Sequence, residues 1–246
     1  MKTAVVTGTS YGLGKSIATL LLEHDYKVYG VSRTESSTKD SNFVWIKADL
    51  AKDLDLENIK STIQEEKIDL LVNNAGMAFL ELTTEFSDKG FEEIFTLNFK
   101  VPIKLTNLLL GKLKSNLVVN ISSDSDRFAD KGLGLYSSTK AALNIFFDTL
   151  TLENPSIKVF NMLCSTIDTP LTRSLNFEGF NDEASFAQYM KPDEVALGIY
   201  EFIENEKTYA NGTRAIILSN NLQSEAEDPE ILYSYNVDTK KTQRLK

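Results

Sequence analysis

Short runs rich in β-branched residues alternate along the chain with longer segments whose apolar positions recur every three or four residues. The runs are Thr3–Thr7, Lys27–Val31, Phe43–Ile46, Leu70–Val72, Leu117–Ile121, Ile157–Asn161 and Ala215–Leu218. Each has the length and composition of a strand buried on both sides. Between the first two, Leu13, Ile17, Leu20 and Leu21 mark the buried stripe of an amphipathic helix. Phe91, Ile94, Phe95, Phe99, Ile103 and the leucine-rich stretch 105–110 predict a long helix that Pro102 bends or interrupts. Leu143, Ile145, Phe146 and Leu150 predict another, and Pro192–Ile203 one more before the last strand. Such alternation implies right-handed βαβ units, hence an α/β fold with a doubly wound parallel sheet under helices on both faces. No repeat or linker interrupts 1–246, so one domain is expected, ending in a polar, loosely docked tail from about residue 222.

Composition narrows the partners. With 42% apolar and 25% charged residues the chain is an ordinary globular protein. A net charge of −9 without a basic stripe argues against nucleic acid and anionic membranes. Any anionic ligand then needs a local cation or a helix terminus. The lone Cys164 cannot form an internal disulfide. No leader-like or membrane-spanning run is seen, and no metal site is predicted, so a soluble, cytoplasmic protein is expected.

Chemistry enters at Thr7-Gly8-Thr9-Ser10-Tyr11-Gly12-Leu13-Gly14, between the first strand and its helix. Glycines there allow a sharp turn, a close approach of pyrophosphate to backbone, and tight packing of helix on sheet. The helix N-terminus offers free N–H groups and partial positive charge. Ser32 and Arg33 end the second strand. An acid at this place would bond a ribose hydroxyl and repel a 2′-phosphate, whereas a guanidinium grips one. The pair favours NADP(H) over NAD(H).

Asn73-Asn74-Ala75-Gly76 follows the fourth strand, and Tyr136-Ser137-Ser138-Thr139-Lys140 opens the helix after the fifth. With the glycine turn in front, the chain resembles the short-chain dehydrogenase/reductase family, in its shorter single-domain branch. The resemblance implies a Rossmann-type sheet of seven strands in the order 3-2-1-4-5-6-7, assembled as a homodimer or homotetramer. It implies Tyr136 as general acid/base, Lys140 lowering its pKa and holding the nicotinamide ribose, and Ser123 polarising the substrate oxygen. Ser122 is adjacent, and the family spacing favours Ser123. Asn98 matches the residue that holds a water in a proton relay to the lysine. Gly8, Thr9, Ser10, Tyr11, Gly12, Leu13 and Gly14 would line the pyrophosphate. Asp49 and Leu50 would lie at the adenine, Asn74, Ala75 and Gly76 at the adenosine ribose, and Ile167 and Thr169 at the carboxamide. The implied reaction moves a hydride between nicotinamide and a carbonyl or secondary alcohol. The competing reading is a catalytically silent NADP(H)-binding redox sensor, which typically lacks the tyrosine or lysine retained here.

Three departures stand out. Cys164-Ser165 replaces the Pro-Gly expected after the sixth strand, and Ser219-Asn220-Asn221 replaces a Gly-Gly. Segment 124–135, one of two that set substrate choice, carries Asp124, Asp126, Arg127, Asp130 and Lys131. The other, 170–191, reads as an amphipathic lid with Phe177, Phe180, Phe186, Tyr189 and Met190. Phe146 and Phe147 are adjacent and cannot share one core, which points to a dimer face on the helices around 91–113 and 136–153. His24, far from every motif, is given no catalytic role.

Overall fold

A computed structural model describes residues 1–175, 182–219 and 231–245. The chain runs β1 (Lys2–Thr7), α1 (Gly12–Glu23), β2 (Tyr26–Ser32), β3 (Phe43–Lys47), α2 (Asp53–Thr62) and β4 (Ile68–Asn73). Then follow α3 (Asp88–Phe95), a π turn (Thr96–Lys100), α4 (Val101–Leu109), β5 (Leu113–Ser123) and α5 (Gly134–Glu153). The remainder is β6 (Lys158–Cys164), the short α6 (Pro170–Ser174) and α7 (Glu183–Phe186), α8 (Pro192–Glu204), β7 (Thr213–Leu218), β8 (Tyr233–Asn236) and β9 (Lys241–Arg244).

One sheet of nine strands has the order β3-β2-β1-β4-β5-β6-β7-β8-β9. The first seven match the expected order. The last two correct the expected polar tail: β8 pairs parallel with β7, and β9 closes antiparallel on β8. Tyr235, Val237 and Ile231 are buried there, so this end of the chain is docked on the sheet. Phe177, Phe180, Asn220 and Asn221 lie outside the described residues.

Successive residues of a strand serve opposite faces. Ala4 and Val6 join the core built with Leu13, Ile17 and Leu21 of α1 and Val195, Ile199 and Phe202 of α8. Val5 joins the other, with Leu56 and Ile59 of α2, Leu105 of α4, and Leu143 and Phe147 of α5. The two adjacent phenylalanines, expected to face different cores, instead meet edge to face at 5.6 Å and both pack on this second core. Phe147 is fully buried, whereas Phe146 packs edge-on to Phe99 at 6.1 Å, in a shallow surface groove with Ile145 and Leu150.

A polar ladder crosses the second face. Asn73, Asn120, Asn161 and Arg214 lie in register on four neighbouring strands. The Asn73 amide donates to Asn120 Oδ1 at 2.9 Å, and that of Asn120 to Asn161 Oδ1 at 2.9 Å. Asn161 donates to Asp148 Oδ1 at 2.9 Å, and Asp148 accepts the Arg214 guanidinium on its other oxygen. Register is thereby fixed one residue below the cleft, because a slip would strand every amide. Asn120→Leu would orphan the donor of Asn73 and the acceptor of Asn161. A loss of about 2–4 kcal/mol is expected by urea denaturation; a loss within about 0.5 kcal/mol would show the ladder to be dispensable.

Candidate active site

The strands end together at one edge, where a cleft of about 1240 Å³ opens. At one side lies the glycine turn. Gly8 has φ +77°, a left-handed backbone that favours glycine. A Cβ on Gly14 would lie 2.3 Å from both Asn74 Nδ2 and Gly8 O, so the start of α1 presses directly on the turn. Asn74 donates to Thr7 O at 2.8 Å, and the Thr7 hydroxyl accepts from the backbone N–H groups of Asn74 and Ala75 at 2.9 and 3.0 Å. Tyr11 heads α1 without a side-chain cap, which leaves the first N–H groups of the helix available to an anion. This open cradle fits a pyrophosphate.

Ser10 Oγ reaches Thr34 O at 3.0 Å, which joins the turn to the end of β2. Ser32 donates to Thr34 O at 2.8 Å and accepts from the Trp45 indole at 3.1 Å. Arg33 is exposed on the cleft wall, and no carboxylate among the described residues pairs with it. Asp49 and Leu50 close the same end, with Asp49 accepting from Ala51 N at 3.3 Å.

Of the residues assigned from sequence, the cleft wall contains all but Thr9 and Asn98. Thr9 is a correction. It is fully buried, its Oγ1 faces Gly30, and it finds no partner among the described residues. The turn has rolled this side chain inward beneath the loop. Asn98 sits behind the wall as a brace: its amide bonds both Met77 N and Met77 O at 2.8 Å and donates to Thr139 Oγ1 at 3.1 Å. It occupies the π turn, which is the interruption expected at Pro102 in an unexpected form. Proline four residues on has no N–H for the Asn98 carbonyl, so the helix widens there before α4 resumes.

At the other end of the cleft Ser123, Tyr136 and Lys140 converge. Lys140 Nζ donates to Ile121 O at 2.8 Å and stands 5.6 Å from the centroid of the Tyr136 ring. The Ser123 hydroxyl, which reaches Ser125 Oγ at 3.1 Å, stands beside the Tyr136 phenol and favours its ionised form. Ser122 Oγ is buried with no partner among the described residues, one residue from this group. Burial dominates both titrations. It pushes Tyr136 up to about 12, against the Ser123 hydroxyl and helped by the charges of Asp124 and Cys164. Lys140 is pushed down to about 8 by the same cause. The expectation of a tyrosine pKa brought down toward neutrality is not met: the net shift is upward because burial outweighs the other influences. The ammonium is spent on a backbone carbonyl, and desolvation of the phenolate prevails. Cys164, also buried, is raised to about 12, consistent with an inert filler.

The rim is pinned by charge. Arg173 forks onto Asp168 at 2.6 and 3.0 Å, Lys191 adds a contact at 2.9 Å, and Arg173 stacks 4.3 Å above the Phe186 ring. The Arg173 hydrogen bonds, then Lys191, hold Asp168 down at about 2. Ile167 bridges in parallel to Met190, and the Thr169 hydroxyl caps α6 by accepting from Thr172 N at 3.3 Å. Sequence reading missed one feature here. Asp124, beside Ser123, accepts a hydrogen bond from Ser165 Oγ at 2.5 Å. His24 stacks on Tyr200 at 4.2 Å and bonds Leu20 O, as a structural residue would. Among the described residues no cluster of His, Cys, Asp and Glu is placed to hold a metal, and no helix is long and apolar enough to cross a membrane.

Comparison with known proteins agrees with this geometry. An uncharacterized oxidoreductase of Saccharomyces cerevisiae is 32% identical over 183 residues, covering 69% of this chain and 72% of its own. A benzil reductase of Bacillus cereus, which forms (S)-benzoin, is 29% identical over 238 residues, 84% of this chain and 96% of its own. A short chain dehydrogenase family protein from Francisella tularensis superposes with a TM-score of 0.79 at 23% identity, covering 88% of this chain and 96% of its own. The family model described as short chain dehydrogenase matches residues 2–178. The chain therefore belongs to the short-chain dehydrogenase/reductase family, as an α/β oxidoreductase of the nicotinamide-dependent kind.

Proposed function

We propose that this protein is an NADP(H)-dependent reductase of small carbonyl compounds with Tyr136 as proton donor. The observation that carries this reading is the convergence of Ser123, Tyr136 and Lys140 at the end of a cleft that also holds the glycine turn and the unpaired Arg33. Gly8, Gly12, Gly14 and the α1 N-terminus would hold the pyrophosphate, Arg33 a 2′-phosphate, and Lys140 the nicotinamide-side ribose. A bound nicotinamide cofactor supplies the hydride. Ser123 donates a hydrogen bond to the carbonyl oxygen, and Tyr136 passes its proton to that oxygen as negative charge develops. A phenol held near 12 is protonated at neutral pH and so suits donation, the reducing direction. The tyrosinate left behind is buried, and the Lys140 ammonium one helical turn away is the cation that offsets its charge. Asn98 positions this group from behind through Thr139 and Met77. The groove around Phe146 and the exposed Ile145 on α5 are where a second copy would pack. The Bacillus cereus relative, a carbonyl reductase by name, supports the reaction class.

Following NADPH absorbance across a panel of aldehydes, ketones and diketones tests this reading; no turnover of any member would end it. The cofactor claim has its own test. The ratio of kcat/KM with NADPH to that with NADH is expected to exceed unity and to fall at least ~10-fold in Arg33→Ala, the value of one charge-assisted hydrogen bond. An unchanged ratio would remove Arg33 from cofactor choice.

A further inference from the structure

Two departures noted separately in the sequence meet in space. Ser165 Oγ donates to Asp124 Oδ2 at 2.5 Å, across 41 positions of sequence. Asp124 follows Ser123 directly and lines the cleft. Its neighbour Asp126 is fully engaged, by the Arg127 fork at 2.8 and 3.0 Å and by the Asn144 amide at 2.7 Å. Asp124 has no such compensation: no cation among the described residues pairs with it. Its other oxygen stands 3.4 Å from Ser123 Oγ, longer than a strong hydrogen bond to a carboxylate. Ser123 Oγ also reaches Ser125 Oγ at 3.1 Å, and both of these contacts are long enough for an incoming carbonyl oxygen to replace them. Burial raises Asp124, and the hydroxyls of Ser165 and then Ser123 oppose that rise. A half-buried carboxylate with one short and one long serine contact and no cation among the described residues is stabilised by a further donor in the cleft.

We propose that Asp124, oriented by Ser165, is a specificity residue that accepts a hydrogen bond from a hydroxyl next to the reacting carbonyl, so that the preferred substrates are α-hydroxy carbonyl compounds. This rests on the assignment of Ser123 and Tyr136 as the groups that hold the reacting oxygen. The geometry then sets the distance. Ser123 Oγ and Asp124 Oδ1 are 3.4 Å apart, so the two substrate oxygens they bind are close neighbours, as are the oxygens of an α-hydroxy carbonyl, three covalent bonds apart. Ser165 also explains why glycine is absent after β6: a hydroxyl is needed there to hold the carboxylate in place. An apolar substituent at that place would instead face an unpaired charge and be disfavoured.

The test uses the intact enzyme saturated with NADPH and three ketones: acetophenone, its α-hydroxy derivative, and phenylpropanedione. Wild type is expected to favour the hydroxy ketone over acetophenone in kcat/KM. Asp124→Leu should lower that preference at least ~10-fold, and Asp124→Asn, an isostere that keeps one acceptor, by less. Ser165→Ala should lower it in the same direction through a raised KM for the hydroxy ketone. If the Leu variant fails to fold, the Asn and Ala variants carry the comparison. A preference unchanged in both would overturn the proposal. Selection of the dione over the hydroxy ketone would also overturn it, since a second carbonyl brings no donor. Turnover of none of the three, nor of any carbonyl in a wider panel, would remove the reductase reading itself, a separate result from turnover without discrimination.

Discussion

Tyr136→Phe is expected to lower kcat/KM for carbonyl reduction at least ~10³-fold while NADPH affinity changes by less than ~3-fold. The substitution keeps the ring and its place 5.6 Å from Lys140 and removes only the proton-bearing oxygen. General acid catalysis by a placed side chain contributes roughly 10²–10⁴-fold, and the Lys140 ammonium, the nearby stronger acid, is bonded to Ile121 O. Cys164 is buried and raised to about 12, and Ser123 has an alcohol proton too weakly acidic to serve. Direction gives a second readout. Because burial holds Tyr136 near 12, reduction should not depend on tyrosine ionisation across neutral pH, whereas alcohol oxidation should quicken as pH rises. Single-turnover kinetics at saturating NADPH would check the first claim and initial rates in both directions the second. Turnover of the Phe variant within tenfold of wild type would exclude Tyr136 as the donor.

Much of this was legible in the chain because the signals are local. The glycine turn, the Ser32-Arg33 pair and the four-residue spacing of Tyr136 and Lys140 each sit within one strand end or helix turn, where spacing fixes geometry. The order of the first seven strands came with the family resemblance, and the apolar runs located each of them. What escaped was set by contacts between distant segments. Tyr233-Ser234-Tyr235-Asn236 reads as polar, yet its alternation is that of a strand near a sheet edge, with Tyr235 turned inward against Gly198. Four residues are too few for that pattern to be distinguished from a tail. The Asp124–Ser165 bond joins segments far apart in sequence, so each appeared as an isolated oddity. Thr9 was assigned by position in a motif, and its side-chain direction depends on the roll of the turn. The sign of the Tyr136 shift was misjudged because spacing reveals the nearby ammonium and says nothing of the burial that outweighs it. The π turn at Asn98 did have a signal, the proline four residues later.

Lys140→Met is expected to abolish most turnover, at least ~100-fold, and to change how stability depends on pH. Lys140 is buried, and its pKa falls from 10.5 to about 8 on folding. Below about pH 8 the folded chain must keep a charged ammonium out of water, which costs stability relative to a neutral side chain. Between about 8 and 10.5 the unfolded chain binds a proton that the folded chain has shed, so wild-type stability rises with pH across that window. Methionine lacks the titration. The stability difference between wild type and variant should therefore move in favour of wild type by about 2 kcal/mol from pH 7.5 to 9.5. The absolute difference at any one pH also contains the lost hydrogen bond to Ile121 O, which the slope does not. Urea unfolding of both proteins through this range measures the slope directly, and parallel curves would show that Lys140 titrates as an ordinary lysine. The same ionisation should appear in catalysis. If the ammonium steadies the tyrosinate, reduction by wild type falls as pH passes about 8, and the residual activity of the Met variant shows no such step. A buried cation of this kind lowers stability at neutral pH, a cost that the proposed role of its charge beside Tyr136 would account for.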